Sequence, residues 1–280
     1  MSLFRLPILL LTLLSFVLPC RAGEWTDSSA VVMTVGPRSV TYAEFERHYA
    51  GNASADTRGT TREAYASVLA DYLRKVLAAE AAGLDTVASL RSEVEVYGLS
   101  RALPLNDPDV RDFRDGLLAY EITQREVYIP SHTDTAALNR YFLARRDDFR
   151  WTSPRFKGHV VAAASDSLAY AATRWLMAAE IAPDSTAIAL RRRFGPGVKV
   201  ERILARQGAS ALVDSLVACG RASDPSGLWR AFRLLDGRFI AAPESVADVR
   251  GLVVEAYRQQ LECQWLDSLR RRYPAVVLFD

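Results

Sequence analysis

The sequence predicts an α+β protein, with long helices toward both ends of the chain and a small α+β domain between them. Apolar side chains recur every three or four residues over 61–83, 108–127 and 245–272, the spacing of helices with one buried face. From 155 to 241, short β-rich runs alternate with short helical ones, after a break at Trp151-Thr152-Ser153-Pro154. Half of the residues are hydrophobic (50%), enough to bury one large core or two modest ones.

The first element reads as a leader. Arg5 is the lone positive charge near the start, residues 6–18 are an apolar run, and Cys20-Arg21-Ala22 places small residues where a signal peptidase inspects them. This predicts a secretory signal peptide over 1–22, cleaved before Gly23. The run is short for a bilayer span, which takes about 20 residues. Cys20 leaves lipidation open as an alternative, with Pro19 before it against that reading, and a retained anchor is the third. No later segment is long and apolar enough to span a membrane.

Val31–Val35 is β-rich, Gly36-Pro37 is a turn signal, and Ser39-Val40 returns as a second short strand. Thr41 and Glu44 have the spacing of a capping box for a helix running to about Tyr49. The helix over 61–83 carries Tyr65, Val68, Leu69, Tyr72, Val76 and Ala79 on one face, with Gly83 as its cap. Residues 86–102 continue helically, with Gly98 as a weak point. The next helix, 108–127, turns Val110, Phe113, Leu117 and Tyr120 inward, and Pro130 closes it; another follows from Thr135 to about Arg146.

Residues 155–163 read as a strand, 166–180 as a helix and 198–205 as a strand. A helix over 209–218 comes next, with one or two strands over 228–241 around Asp236-Gly237. Ser245 and Asp248 form another capping box. Val246, Val249, Val253, Tyr257, Leu261, Trp265 and Leu269 then make a long apolar stripe that needs a large partner, and 275–279 is a final strand.

Without the leader, 33 Lys and Arg stand against 33 Asp and Glu, which gives no electrostatic case for a nucleic-acid partner. His48, His132 and His159 fall on different elements, and no Cys or His pair has metal-ligand spacing. Gly-x-Ser-x-Gly and phosphate-loop patterns are absent. Arg191-Arg192-Arg193 and Arg270-Arg271-Arg272 each close a predicted helix, where cations complement the negative helix end; a binding patch is the alternative. Cys219 and Cys263 read as two small buried residues, with one disulfide as the other possibility.

Three stretches resemble the SurA/parvulin group of periplasmic chaperones, in versions found in Bacteroidetes-type bacteria. Val35-Gly36 followed by Val40-Thr41-Tyr42-Ala43-Glu44-Phe45 is similar to the family's opening strand, turn and helix start. The run YLRKVLAAEAAGLD, from Tyr72 to Asp85, is similar to the family helix ending in Gly-Leu-Asp. Asp248-Val249-Arg250-Gly251, through Tyr257 to Trp265-Leu266-Asp267-Ser268-Leu269-Arg270 and Tyr273, looks like its closing helix. The resemblance covers both chain ends. It implies a mostly helical chaperone domain formed by 23–154 with 242–280, and an inserted small parvulin-like α+β domain over 155–241.

The middle departs from the family. Lys157-Gly158-His159-Val160-Val161 fits the first parvulin strand, but no second His follows and the Gly-Gly-x-Leu-Gly segment is missing. An isomerase works against an amide barrier of about 18–20 kcal/mol, with a shaped pocket of preorganised polar groups. The resemblance therefore implies a periplasmic, ATP-independent chaperone for unfolded exported polypeptides, outer-membrane proteins among them, that takes no cofactor and no metal. It assigns no client-binding residues. His159 is the one catalytic candidate should the domain be active, and otherwise a strand residue inherited from the fold. A divergent peptidyl-prolyl isomerase is the alternative function, and a structural partner in an envelope assembly the third.

Overall fold

The computed structural model describes residues 28–51, 61–179 and 186–278. The leader read over 1–22 lies outside them. The chain divides into two compact units, Met1–Thr123 with Trp265–Asp280, and Gln124–Gln264. Each mixes helices with a small antiparallel sheet, so the α+β class holds.

In the first unit β1 (Val31–Val35) and β2 (Arg38–Thr41) form a hairpin around Gly36-Pro37, and β7 (Ala275–Val277) pairs antiparallel with β1 from the other end of the chain. The sheet order is β2-β1-β7. The first and last strands thus pair, and Gly36 N donates to Pro274 O at 2.8 Å beside them. Thr41 starts α1 (Tyr42–Gly51) by accepting from Glu44 N at 3.2 Å. The Glu44 carboxylate turns to Arg38 instead of closing the box.

The Thr61 hydroxyl caps α2 (Arg62–Ala81), accepting from Ala64 N, and left-handed Gly83 follows its end. Its buried arc is wider than the sequence stripe and centres on Ala66, Leu69, Leu73 and Leu77. These pack with Val32, Val35 and Phe45, and Val68 lies beyond the edge of the arc, 61% exposed.

Of the stripe read on α4 (Pro108–Thr123), Val110 is buried as expected, but the later positions are displaced from the core face. Leu118, Ala119 and Ile122 are buried against Val76 and Ala79 of α2. Phe113 and Leu117 are half-buried, and Tyr120 is exposed. The true face also carries Asp115, buried because Arg38 (2.6 Å) and Arg114 (2.8 Å) both donate to it, which braces β2 to α4. A polar residue in the buried arc hides that arc from a hydrophobicity pattern.

The second unit opens on a π-helical turn, Gln124–Tyr128, leading into α5 (Ile129–Thr133). Pro130 does not stop the chain as expected. It sits in the first turn of α5, where its missing N–H costs no helical bond. In α6 (Thr135–Ala144), Leu138 and Phe142 pack with Phe149, Val246, Val249 and Val253.

Residues 155–241 hold a four-stranded antiparallel sheet, order β4-β3-β6-β5. Its strands are β3 (Arg155–Ala163), β4 (Val198–Arg206), β5 (Arg221–Ser223) and β6 (Ala231–Ile240). α7 (Asp166–Ala178) and α8 (Thr186–Phe194) pack on it through Ala169, Ala172 and Leu190, over Val161 and Val198. α9 (Ala211–Cys219) precedes β5. Asp236-Gly237 is not a turn between two strands but an interior stretch of β6.

α10 (Arg250–Arg272) is one continuous helix. The Ser245/Asp248 capping box forms on a single 3₁₀ turn, Val246–Asp248, just before it. Val253 and Tyr257 belong to the second unit's cluster with α6, and Trp265 to the first unit's cluster with α2. Arg270 donates to Asp71 of α2 at 2.5 Å.

Candidate functional site

His159 lies on β3, its side chain 46% exposed, opposite Asp236 of β6. Its Nδ1 stands 2.9 Å and 3.1 Å from the two carboxylate oxygens, and its backbone N donates to Oδ1 at 2.9 Å. The close approach has a local cause. β6 carries an extra residue, Leu235, just before Asp236, so that His159 pairs with Asp236 but Val160 with Leu234. Gly158 faces Gly237, and a Cβ on Gly158 would fall 2.2 Å from Asp236 O. The carboxylate holds Nδ1 as the donor, which leaves Nε2 as the ring's acceptor in the neutral tautomer.

The neighbours on that face are charged. Lys157 donates to Glu244 at 3.0 Å and to Asp248, and Arg202, the β4 partner of His159, also reaches Asp248. The Asp248 side chain is fully buried and accepts from the N–H groups of Glu244 (2.8 Å) and Ser245 (3.0 Å). Burial pushes its carboxyl up, but these amides and Lys157 outweigh that and hold it below the usual carboxylate range. This cluster fastens the segment before α10 to the sheet. Two clefts in the unit, of about 780 Å³ beside Leu212, Ser215 and Cys219 and about 540 Å³ beside Pro154, Arg206 and Phe239, are lined by other residues than His159 and Asp236.

The remaining sequence candidates scatter. His132 is on α5 and His48 on α1, 3.4 Å from Asp112. Among the described residues no three His, Cys, Asp or Glu side chains are grouped for a metal. Cys219 and Cys263 are free and exposed, which corrects the reading of two small buried residues: each sits on an outward position of its helix. Arg191–Arg193 and Arg270–Arg272 do lie in the last turns of α8 and α10.

A second site went unread in the sequence. α3 (Ala88–Arg101) has one buried residue, Gly98. It is tethered at two points. Leu90 packs against Val76 and Leu118, and Gly98 approaches the following turn so closely that a Cβ there would stand 3.1 Å from Leu103 O. Tyr97 stacks on Phe113 of α4, ring centroids 4.0 Å apart, with Arg101 over the Tyr97 ring. Beyond these contacts Val96 is 60%, Leu99 80% and Leu105 59% exposed. Two clefts flank the helix. One, about 390 Å³, is lined by Ser92, Val96, Tyr97 and Phe113; the other, about 280 Å³, by Leu90, Val94, Leu105 and Leu117. The available signal was that apolar residues on 90–105 go all round the helix rather than along one stripe.

Among the described residues no helix is long and apolar enough to cross a membrane. No family model matches the chain, and no curated protein matches it. Solved structures do. A SurA-like chaperone of Campylobacter jejuni, described with the virulence factor PEB4 and the periplasmic protein Cj1289, is 11% identical over 89% of this chain and 99% of its own, with a TM-score of 0.32. The foldase PrsA of Lactococcus lactis is 8% identical over 88% and 94%, TM-score 0.31. PrsA of Bacillus subtilis is 13% identical over 88% and 93%, TM-score 0.27.

Proposed function

We propose that this protein is an extracytoplasmic, ATP-independent chaperone that holds unfolded polypeptides on the α3 surface. The observation that carries the reading is the exposure of Val96 and Leu99, one helical turn apart on α3, and of Leu105 just beyond it, where Val96 lines one cleft and Leu105 the other. Leaving such a ridge in water forgoes burial worth about 25 cal/mol per Å², and contiguous exposed apolar surface marks an interaction site. An extended chain supplies apolar side chains to clefts of this size without a fixed sequence. The leader read over 1–22 supports work outside the cytoplasm on exported clients, outer-membrane proteins among them.

The test is light scattering of an unfolded outer-membrane protein diluted into buffer without nucleotide. The wild type slows aggregation, and Val96→Ser/Leu99→Ser/Leu105→Ser loses most of that effect while its circular dichroism is unchanged. If the triple variant protects the client as well as the wild type, the ridge is not the holding surface.

Prolyl isomerisation is the second reading, favoured by the His159–Asp236 hydrogen bond. Against it, neither described cleft of the unit is lined by the pair, and its strand neighbours Lys157 and Arg202 are charged. The expected result is a prolyl-peptide rate equal to the uncatalysed one, tens to hundreds of seconds. A clear acceleration that His159→Ala removes would establish the enzyme.

A further inference from the structure

We infer that the α3 surface selects extended segments in which apolar residues stand next to Lys or Arg. The inference deepens the holding reading and rests on it. From 85 to 109 the chain carries five carboxylates and two arginines, whereas the chain beyond the leader is balanced. One of the two, Arg101, lies over the Tyr97 ring. The other, Arg91, shares one cleft with Asp85 and Glu95, which leaves that cleft one carboxylate in excess, and Glu93 lines the other cleft. Arg114, which also lines the first of these, is already held by Glu80 at 2.7 Å and by Asp115. Among the described residues Asp85, Glu93 and Glu95 have no ion-pair partner.

The apolar ridge is therefore edged by carboxylates whose charge the fold does not use. Screening acts over about 8–10 Å at moderate salt, so these charges reach a segment lying in either cleft. Lys and Arg suit that place doubly. Their methylene stems lie along apolar surface while the charged head turns to the carboxylates. An acidic segment meets the same three charges as repulsion.

The probes are three fluorescein-labelled peptides of equal length, with identical Leu, Val and Ser positions and Lys, Glu or Gln at the intervening ones. Anisotropy titration against the full chain reads the affinities. The Lys peptide binds about fivefold or more tighter than the Glu peptide at low salt, the sum of several weak exposed pairs. High salt brings the ratio toward one, as does Glu93→Gln/Glu95→Gln. Equal affinities for Lys and Glu peptides, or a preference that survives the double variant, overturn the inference. If all three peptides bind alike and Val96→Ser/Leu99→Ser weakens them alike, the charge selection is wrong and the holding surface stands. If none binds and the serine variants protect clients normally, the holding reading falls and takes the inference with it. A concentration-dependent dimer that the serine variants dissociate assigns the ridge to a second copy, which also overturns it.

Discussion

The exposed face of α3 and the exposed face of β3 use opposite chemistry. On β3, Lys157, His159 and the facing Arg202 all have partners within the same unit, Glu244, Asp236 and Asp248. On α3, Val96 and Leu99 are largely exposed, and among the described residues Glu93 and Glu95 have no ion-pair partner. The first surface is spent on holding its own segment in place. The second contributes little to its own stability and leaves apolar and acidic side chains in water. Polarity alone would have pointed the other way, since a His–Asp pair looks more like a site than a few aliphatic side chains.

Three measurements can break or sharpen that contrast. The largest effect belongs to Asp248→Ala, which leaves Lys157 and Arg202 facing a void and frees two N–H groups. Loss of a buried, hydrogen-bonded carboxylate costs about 2–4 kcal/mol, and urea unfolding should show it. A change below about 1 kcal/mol would mean that the cluster is ornamental. Next is the acid limb of stability. Asp248 and Asp71 are both held low in the folded state, Asp71 because Arg270 and Arg74 outweigh its burial. A depressed folded pKa adds stability above the unfolded value, near 3.9, and that contribution is lost as pH falls through the folded value. Stability should therefore decline below about pH 4, and Asp71→Asn/Asp248→Asn should start lower at neutral pH and flatten the decline. Smallest is the effect of Val96→Ser/Leu99→Ser on unfolding free energy, within about 0.5 kcal/mol. A larger loss in the urea midpoint would show that the ridge is part of the core.

Much of the fold was legible. Strand β3 coincides with the 155–163 run, the Thr61–Gly83 frame of α2 is set by its caps, and the stripe from Val246 to Leu269 runs into a single helix. These elements carry strong local signals. What escaped were positions decided by neighbours. The inward face of α4 follows Asp115, whose burial depends on Arg38 far along the chain. Asp236-Gly237 has the composition of a turn, yet pairing with β3 across a bulge keeps it in a strand. Of the candidate sites, His159 was visible as a residue but its carboxylate partner was not. The α3 surface left only its all-round apolar pattern as a signal, because exposure is a property of the assembled unit, and a Leu at 99 looks the same inside or out.

One consequence of the small sheet concerns timing. Strand β1 is synthesised well before β7, and Met33 pairs with Val277. The sheet of the first unit therefore stays incomplete until residues 275–277 have been delivered. Closing so long a loop is slow relative to local helix formation. A nascent chain must wait with its opening hairpin unflanked, so that for a time the protein is itself a client in need of holding.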